Sequence, residues 1–134
     1  MNLFGLFPSK PKRYVSDASF RTTLARQISM APMTMVQLRK HGVSNDSLLK
    51  LEFFFYTNDA AKAASLSAKL NASGYSAKCE PSSHNSNIQI VNGWTGKMEM
   101  SDAVVTVWTR DMCDLGFSDD CEFDGWGTNP KQAP

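Results

Sequence analysis

Four carboxylates and an indole fall close together near the C-terminus: Asp119, Asp120, Glu122, Asp124 and Trp126. An aromatic anchor framed by acidic side chains has the composition of a recognition edge. The ring supplies contact area, and the carboxylates select a basic partner. These residues are therefore the candidate partner-binding set. The same stretch also fits a structural role, in which Trp126 caps the core where the last strand leaves the sheet. Gly125 and Gly127, which bracket it, form a structural motif that permits a bulge or tight turn. The two roles are compatible if one face of the ring is buried and its edge is exposed.

No other constellation points to catalysis. His41 and His84 are far apart and have no acidic or cysteine neighbour at ligand spacing, so they are read as a helix end and a polar loop. Cys79, Cys113 and Cys121 are odd in number and form no CxxC pair. They read as reduced, partly buried thiols, with nothing adjacent in sequence to lower a thiol pKa. Asp102, Asp111 and Asp114 suit the cap and solvated face of one helix. The glycines of "NGWTG" lack the basic residue and spacing of a phosphate loop. The expectation is no enzyme, no metal and no cofactor.

Charge narrows the partner classes. Across 134 residues, 14 Lys and Arg balance 13 Asp and Glu, a formal net charge of +1. Such a chain has no whole-molecule field to draw it to nucleic acid or anionic lipid. No apolar run approaches the roughly 18 residues of a membrane span. At the N-terminus "MNLFGLF" precedes Pro8 and the cations Lys10, Lys12 and Arg13, the reverse of a secretory signal. The reading is a cytoplasmic protein in one domain, residues 16–130, with a flexible N-terminal tail over 1–15 and a disordered tail over 131–134.

The elements that must position these residues follow from periodicity. Phe20, Leu24 and Ile28 recur at helical spacing, and Pro32 is expected to break that helix. A second short helix then starts at Thr34, carries Met35, Leu38 and Val36 inward, and ends at Gly42. "LLKLEFFFY", residues 48–56, reads as a central strand with both faces at least partly covered. Asn58 caps an alanine-rich helix that stops at Gly74. "YSAKCE" and "IQIVNGW" form the next two strands, paired as a hairpin across the polar turn "PSSHNSN". Ser101 and Asp102 open a helix whose buried stripe is Val104, Val107, Trp108 and Leu115, ended by Gly116. The last strand is centred on Glu122 and Phe123. The order βαββαβ fits an α+β ferredoxin-like sandwich, an antiparallel sheet with helices on one face, preceded by an N-terminal helical segment.

That order, closing on Phe123-Asp124-Gly125-Trp126, resembles the ribonuclease E inhibitor B family, also called regulator of ribonuclease activity B. Its opening strand of acidic-hydrophobic-Phe type is matched by Glu52-Phe53-Phe54-Phe55, and its Gly-Tyr before the second strand by Gly74-Tyr75. The resemblance spans approximately residues 34–130. It implies a small cytoplasmic bacterial protein of ferredoxin-like fold, without catalysis of its own, that binds ribonuclease E and restrains RNA turnover. Two alternatives remain open from the residues themselves. One is an interaction module of the same fold with another partner, such as a toxin-neutralising immunity protein. The other is direct RNA binding, which is disfavoured because only Lys50 flanks the aromatics of the central strand.

Overall fold

A computed structural model describes residues 12–132. The elements run α1 (Asp17–Lys40), β1 (Leu48–Leu49), β2 (Glu52–Thr57), α2 (Ala60–Ala72), β3 (Ser76–Pro81), β4 (Gln89–Trp94), β5 (Met98–Glu99), α3 (Asp102–Ser118) and β6 (Glu122–Gly127). The order β3-β4-β2-β6 makes a four-stranded sheet, antiparallel throughout, and β1 and β5 form a separate two-stranded ladder. This is the α+β, ferredoxin-like arrangement expected from the sequence, with β3 and β4 paired as the expected hairpin.

Strand alternation decides where the core sits. On β2 every second residue, Phe53, Phe55 and Thr57, is fully buried beneath the helices, while Glu52, Phe54 and Tyr56 are half-buried on the opposite face. Phe123 of β6 and Val91 of β4 pair with Phe55 and complete the buried row. Leu66 and Leu70 of α2 and Val105, Trp108 and Met112 of α3 close it from above.

The cap of α2 is Asp59 rather than Asn58, α3 runs past Gly116 to Ser118, and three larger readings change. First, α1 is one unbroken helix through Pro32. The ring lies at the exposed surface, while Ala31, Met35 and Leu38 are buried on either side of it. Packing along α3 holds the helix together, from Phe20 against Phe117 at 4.4 Å to Arg39 against Asp102 at 3.3 Å. That packing outweighs the roughly 3 kcal/mol that an internal proline costs. Val36 faces solvent. Second, the stripe on α3 is out of phase with the expected one. Val105, Trp108, Thr109, Met112, Cys113 and Gly116 are buried, whereas Val104 and Val107 are exposed. Third, the expected strand over residues 48–56 is divided into β1 and β2, and the short β5 that pairs with β1 was not anticipated.

The readings of the two ends as tails fall mostly outside the described residues. Residues 1–11 and 133–134 lie outside the described residues. Tyr14 and Val15, placed in a flexible tail, donate both backbone amides to the Asp120 carboxylate at 2.8 Å each, and Val15 is buried. At the other end, Gln132 accepts from the Lys50 amide at 2.7 Å and donates to Thr128 Oγ1 at 3.1 Å.

Candidate partner-binding surface

The helix-to-strand turn after α3 determines the fate of the first two acidic residues. Asp119 is the C-cap of α3, and Asp120 follows with φ 58°, a left-handed conformation that aspartate tolerates better than most residues. From there the Asp120 carboxylate receives Lys62 Nζ at 2.6 Å and the amides of Tyr14 and Val15, with Arg13 at 3.3 Å. Thr57 donates to the Asp120 carbonyl at 2.8 Å. One buried residue thus joins the N-terminal lead, α2 and the end of β2. Burial alone would raise its carboxyl pKa. The hydrogen bonds from Lys62, Val15 and Tyr14 and the Lys62 charge outweigh that and hold it below the usual value. Asp119 accepts from Ser65 at 3.1 Å and Lys69 at 3.0 Å. The charges of both aspartates are engaged within the fold.

Glu122, Asp124 and Trp126 part company along β6. Phe55 faces Phe123 and Phe53 faces Trp126, so three residues of β2 (53–55) stand opposite four of β6 (123–126). The register shifts between Phe54 and Phe55, and Gly125 there has φ 113°, the conformation that favours glycine. In a regular strand, positions three apart point to opposite faces; the extra residue puts Phe123 and Trp126 on the same, helix-covered side. Trp126 is half-buried against Trp108, ring centroids 6.3 Å apart, and Trp108 donates to the Tyr75 hydroxyl at 3.1 Å. Gly127 has no left-handed conformation, and a side chain there would meet no described atom within 4 Å.

Glu122 pairs in register with Tyr56, on the face without helices, and accepts from Thr23 of α1 at 3.0 Å. Asp124 is exposed beside Tyr56. Partial burial and the neighbouring Glu122 raise its carboxyl pKa, against the opposing charge of Arg26 and the Tyr56 hydroxyl. Burial and the same carboxylates push the phenols of Tyr14 and Tyr56 upward, so both stay neutral donors at physiological pH. Glu122 and Asp124 therefore do not share a face with Trp126: the sheet separates them.

Pairing register completes the inventory of the helix-free face. Glu52, Phe54 and Tyr56 of β2 stand beside Trp94, Asn92 and Ile90 of β4, and these beside Ser76, Lys78 and Glu80 of β3. Trp94 is 38% exposed. Lys78 is the one cation of those strand positions, against Glu52, Glu80 and Glu122. The outer edge of β6 is covered by α1, through Thr23 on Glu122 and Gln27 against Gly125. Sequence reasoning missed Trp94, Tyr14, Lys62, Thr23 and Gln27. Only the alternation of "IQIVNGW" carried a signal for the first, and the other four depend on long-range contacts.

Of the three cysteines, Cys79 is exposed and Cys113 and Cys121 are buried. Burial pushes the thiols of Cys113 and Cys121 up to about 12, so both are protonated at neutral pH. No group of three or more His, Cys, Asp or Glu side chains among the described residues is arranged to hold a metal ion. A concavity of about 450 Å³ lies on the helix side between Tyr75, Met98, Val104, Val107 and Trp108.

Comparison with known families gives one match: the family described as Regulator of ribonuclease activity B, over residues 33–128. The matched span begins inside α1 and takes in every strand. No curated protein matches the chain.

Proposed function

The chain belongs to the regulator of ribonuclease activity B family, and we propose that it acts without catalysis, by binding ribonuclease E and restraining RNA turnover in the bacterial cytoplasm. The observation that carries a protein partner is the helix-free sheet face. It presents Phe54, Tyr56 and Trp94 among Glu52, Glu80, Glu122 and Asp124, with Lys78 the one cation on the strands. A sheet that holds RNA needs cations near its stacking rings, because phosphate neutralisation supplies most of the affinity. Carboxylates in those places repel a phosphate chain and favour a basic protein segment. Among the described residues no helix is long and apolar enough to cross a membrane.

The candidate set contracts accordingly. Asp124 and Glu122 stay as the candidate partner-facing carboxylates, joined by Glu52, the exposed Trp94 and the half-buried Phe54 and Tyr56; Asp119 and Asp120 are engaged with α2, and Trp126 packs on Trp108. The test is capture of the host's purified ribonuclease E by the full chain, read together with the cleavage rate of a defined RNA substrate. Capture with slowed cleavage is expected. Absence of both, or tight binding of the RNA alone, overturns the reading.

A further inference from the structure

The helix-free face has a cleft of about 250 Å³ between β2, β4 and β3, lined by Glu52, Ser76, Lys78, Asn92 and Trp94. Its floor contains an anomaly. The side-chain oxygen of Asn92 is buried and has no hydrogen-bond partner. Buried acceptors are nearly always paired, because an unpaired one loses its hydration with nothing in return. A cleft beside an unpaired acceptor is where a donor brought by something else meets it once the amide turns toward the opening.

The surrounding residues state what kind of donor. Glu52 lies directly opposite Trp94, which lies opposite Ser76, and Asn92 occupies the next outward position on the strand of Trp94. Directly paired side chains on one face stand about 4.5–5.5 Å apart at Cβ. A carboxylate, an exposed indole and an amide oxygen therefore converge on one small volume. A planar cation with several donors satisfies all three: it stacks on the indole, pairs with the carboxylate and donates to the amide. An ammonium can sit over the indole and donate to both acceptors, but it has no planar face to lie flat on the ring, so the guanidinium fits the cleft better. Gly93, between Asn92 and Trp94, keeps β3 close, since a Cβ there would run into the Ser76 carbonyl oxygen.

We propose that this cleft receives an arginine side chain of the protein partner, stacked on Trp94, paired with Glu52 and bonded to Asn92 Oδ1. The proposal rests on the reading of the chain as a protein-binding regulator and names the chemistry that its free face recognises. Lys78, exposed on the edge strand, opposes the incoming charge and favours a single arginine over a dense basic run.

The probe is the capped tripeptide Gly-Arg-Gly, titrated into the isotopically labelled full chain and followed by NMR at the Trp94 indole and the Asn92 amide. Shifts at both are expected, and the citrulline tripeptide, equal in shape but uncharged, should bind at least about tenfold more weakly. Glu52→Gln should weaken the arginine peptide to a similar degree, and Lys78→Ala should tighten it. Asn92→Leu should abolish the indole shift while raising the melting temperature, which separates loss of a ligand contact from loss of fold. Equal response to citrulline, preference for a Gly-Glu-Gly peptide or for oligouridylate, or retained binding in Asn92→Leu would each overturn the proposal. Ribonuclease E captured equally well by Glu52→Gln and Asn92→Leu would remove the cleft from the interface and leave the regulator reading standing. Arginine peptide bound in the cleft, with no capture of the enzyme, would do the reverse.

Discussion

Phe53 and Phe54 are neighbours on β2, yet one is fully buried beneath the helices and the other is half-buried on the face that no helix covers. The same division runs through the acidic stretch. Asp120 is buried with Lys62 and two backbone amides on its carboxylate, whereas Asp124, four residues on, is exposed beside Tyr56. The helix-covered side is aromatic and closed, with Phe55 and Phe123 at 5.1 Å and Trp108 set edge-on to Phe123. The other side mixes rings with carboxylates and keeps one acceptor unpaired. Residues of one type thus lie in two environments, closed beneath the helices on one face and open on the other. Alternation and a bulge decide which.

The comparison is broken most directly by truncating both phenylalanines. Phe53→Ala should cost about 3–5 kcal/mol, because it leaves a cavity between β2 and Tyr75 in a closed core. Phe54→Ala should cost about 1 kcal/mol or less, since solvent already reaches that ring. Denaturant unfolding of the two variants measures both. Losses of equal size would mean that the two faces are not the different environments described.

Among the carboxylates the next largest effect belongs to Asp120. Asp120→Asn keeps the side-chain shape and the tolerance for φ 58° but removes the charge facing Lys62. A loss of about 2–3 kcal/mol is expected, because a partly buried ammonium loses its counter-ion. The folded-state pKa of Asp120 lies below its ordinary value of 3.8. Its stabilisation is therefore present above that value and is lost as pH falls through the folded-state pKa. The deficit of the variant should shrink below about pH 4, as the parent loses the same contribution. A deficit that stays constant down to pH 2 would place the effect in packing.

Gly125→Ala probes the hinge between the two environments. With φ 113° the added Cβ is strained by backbone conformation, while its nearest neighbour, Gln27 Oε1 at 3.4 Å, leaves it nearly enough room. The expected loss is about 1–2 kcal/mol, through the bulge rather than through a clash. Thermal unfolding gives the size. Exchange of the Trp126 amide shows whether the bulge has opened.

How much of this was legible in the sequence depends on the range of the interaction. The β2 strand, the hairpin, the Ser101 cap and the closing strand could be read, because local pattern specifies them. Pro32 misled because the packing that carries α1 past it comes from α3, more than sixty residues away in the chain. Val104 and Val107 misled because apolar residues flank the true stripe on α3, so more than one phase fits. The candidate surface was read as one acidic patch with an indole. Asp119 and Asp120 were then claimed by lysines of α2, and the bulge carried Trp126 to the covered side. The cleft at Asn92 and Trp94 depends on register between three strands, and no spacing within one segment announces it.

The smallest effect is also the one with the opposite sign. The carboxyl pKa of Asp124 is raised in the folded protein, by partial burial and by Glu122, so the fold holds its proton more tightly than the unfolded chain does. Ionising it therefore costs stability as pH rises from its ordinary 3.8 through the folded-state value, the reverse of Asp120. Asp124→Asn removes that cost. At pH 7 the variant should be more stable than the parent by a few tenths of a kcal/mol, roughly what a solvent-screened surface charge can contribute. The gain should vanish near pH 3, where Asp124 is protonated in both states. Urea unfolding at the two pH values decides it, because the sign of the change carries the argument. A loss at pH 7 would mean that Tyr56 and Arg26 hold Asp124 as a structural anion, and the free face would then have one carboxylate fewer to offer a basic partner. A gain at pH 7 that fades in acid would identify Asp124 as a charge kept where the fold itself gains nothing from it.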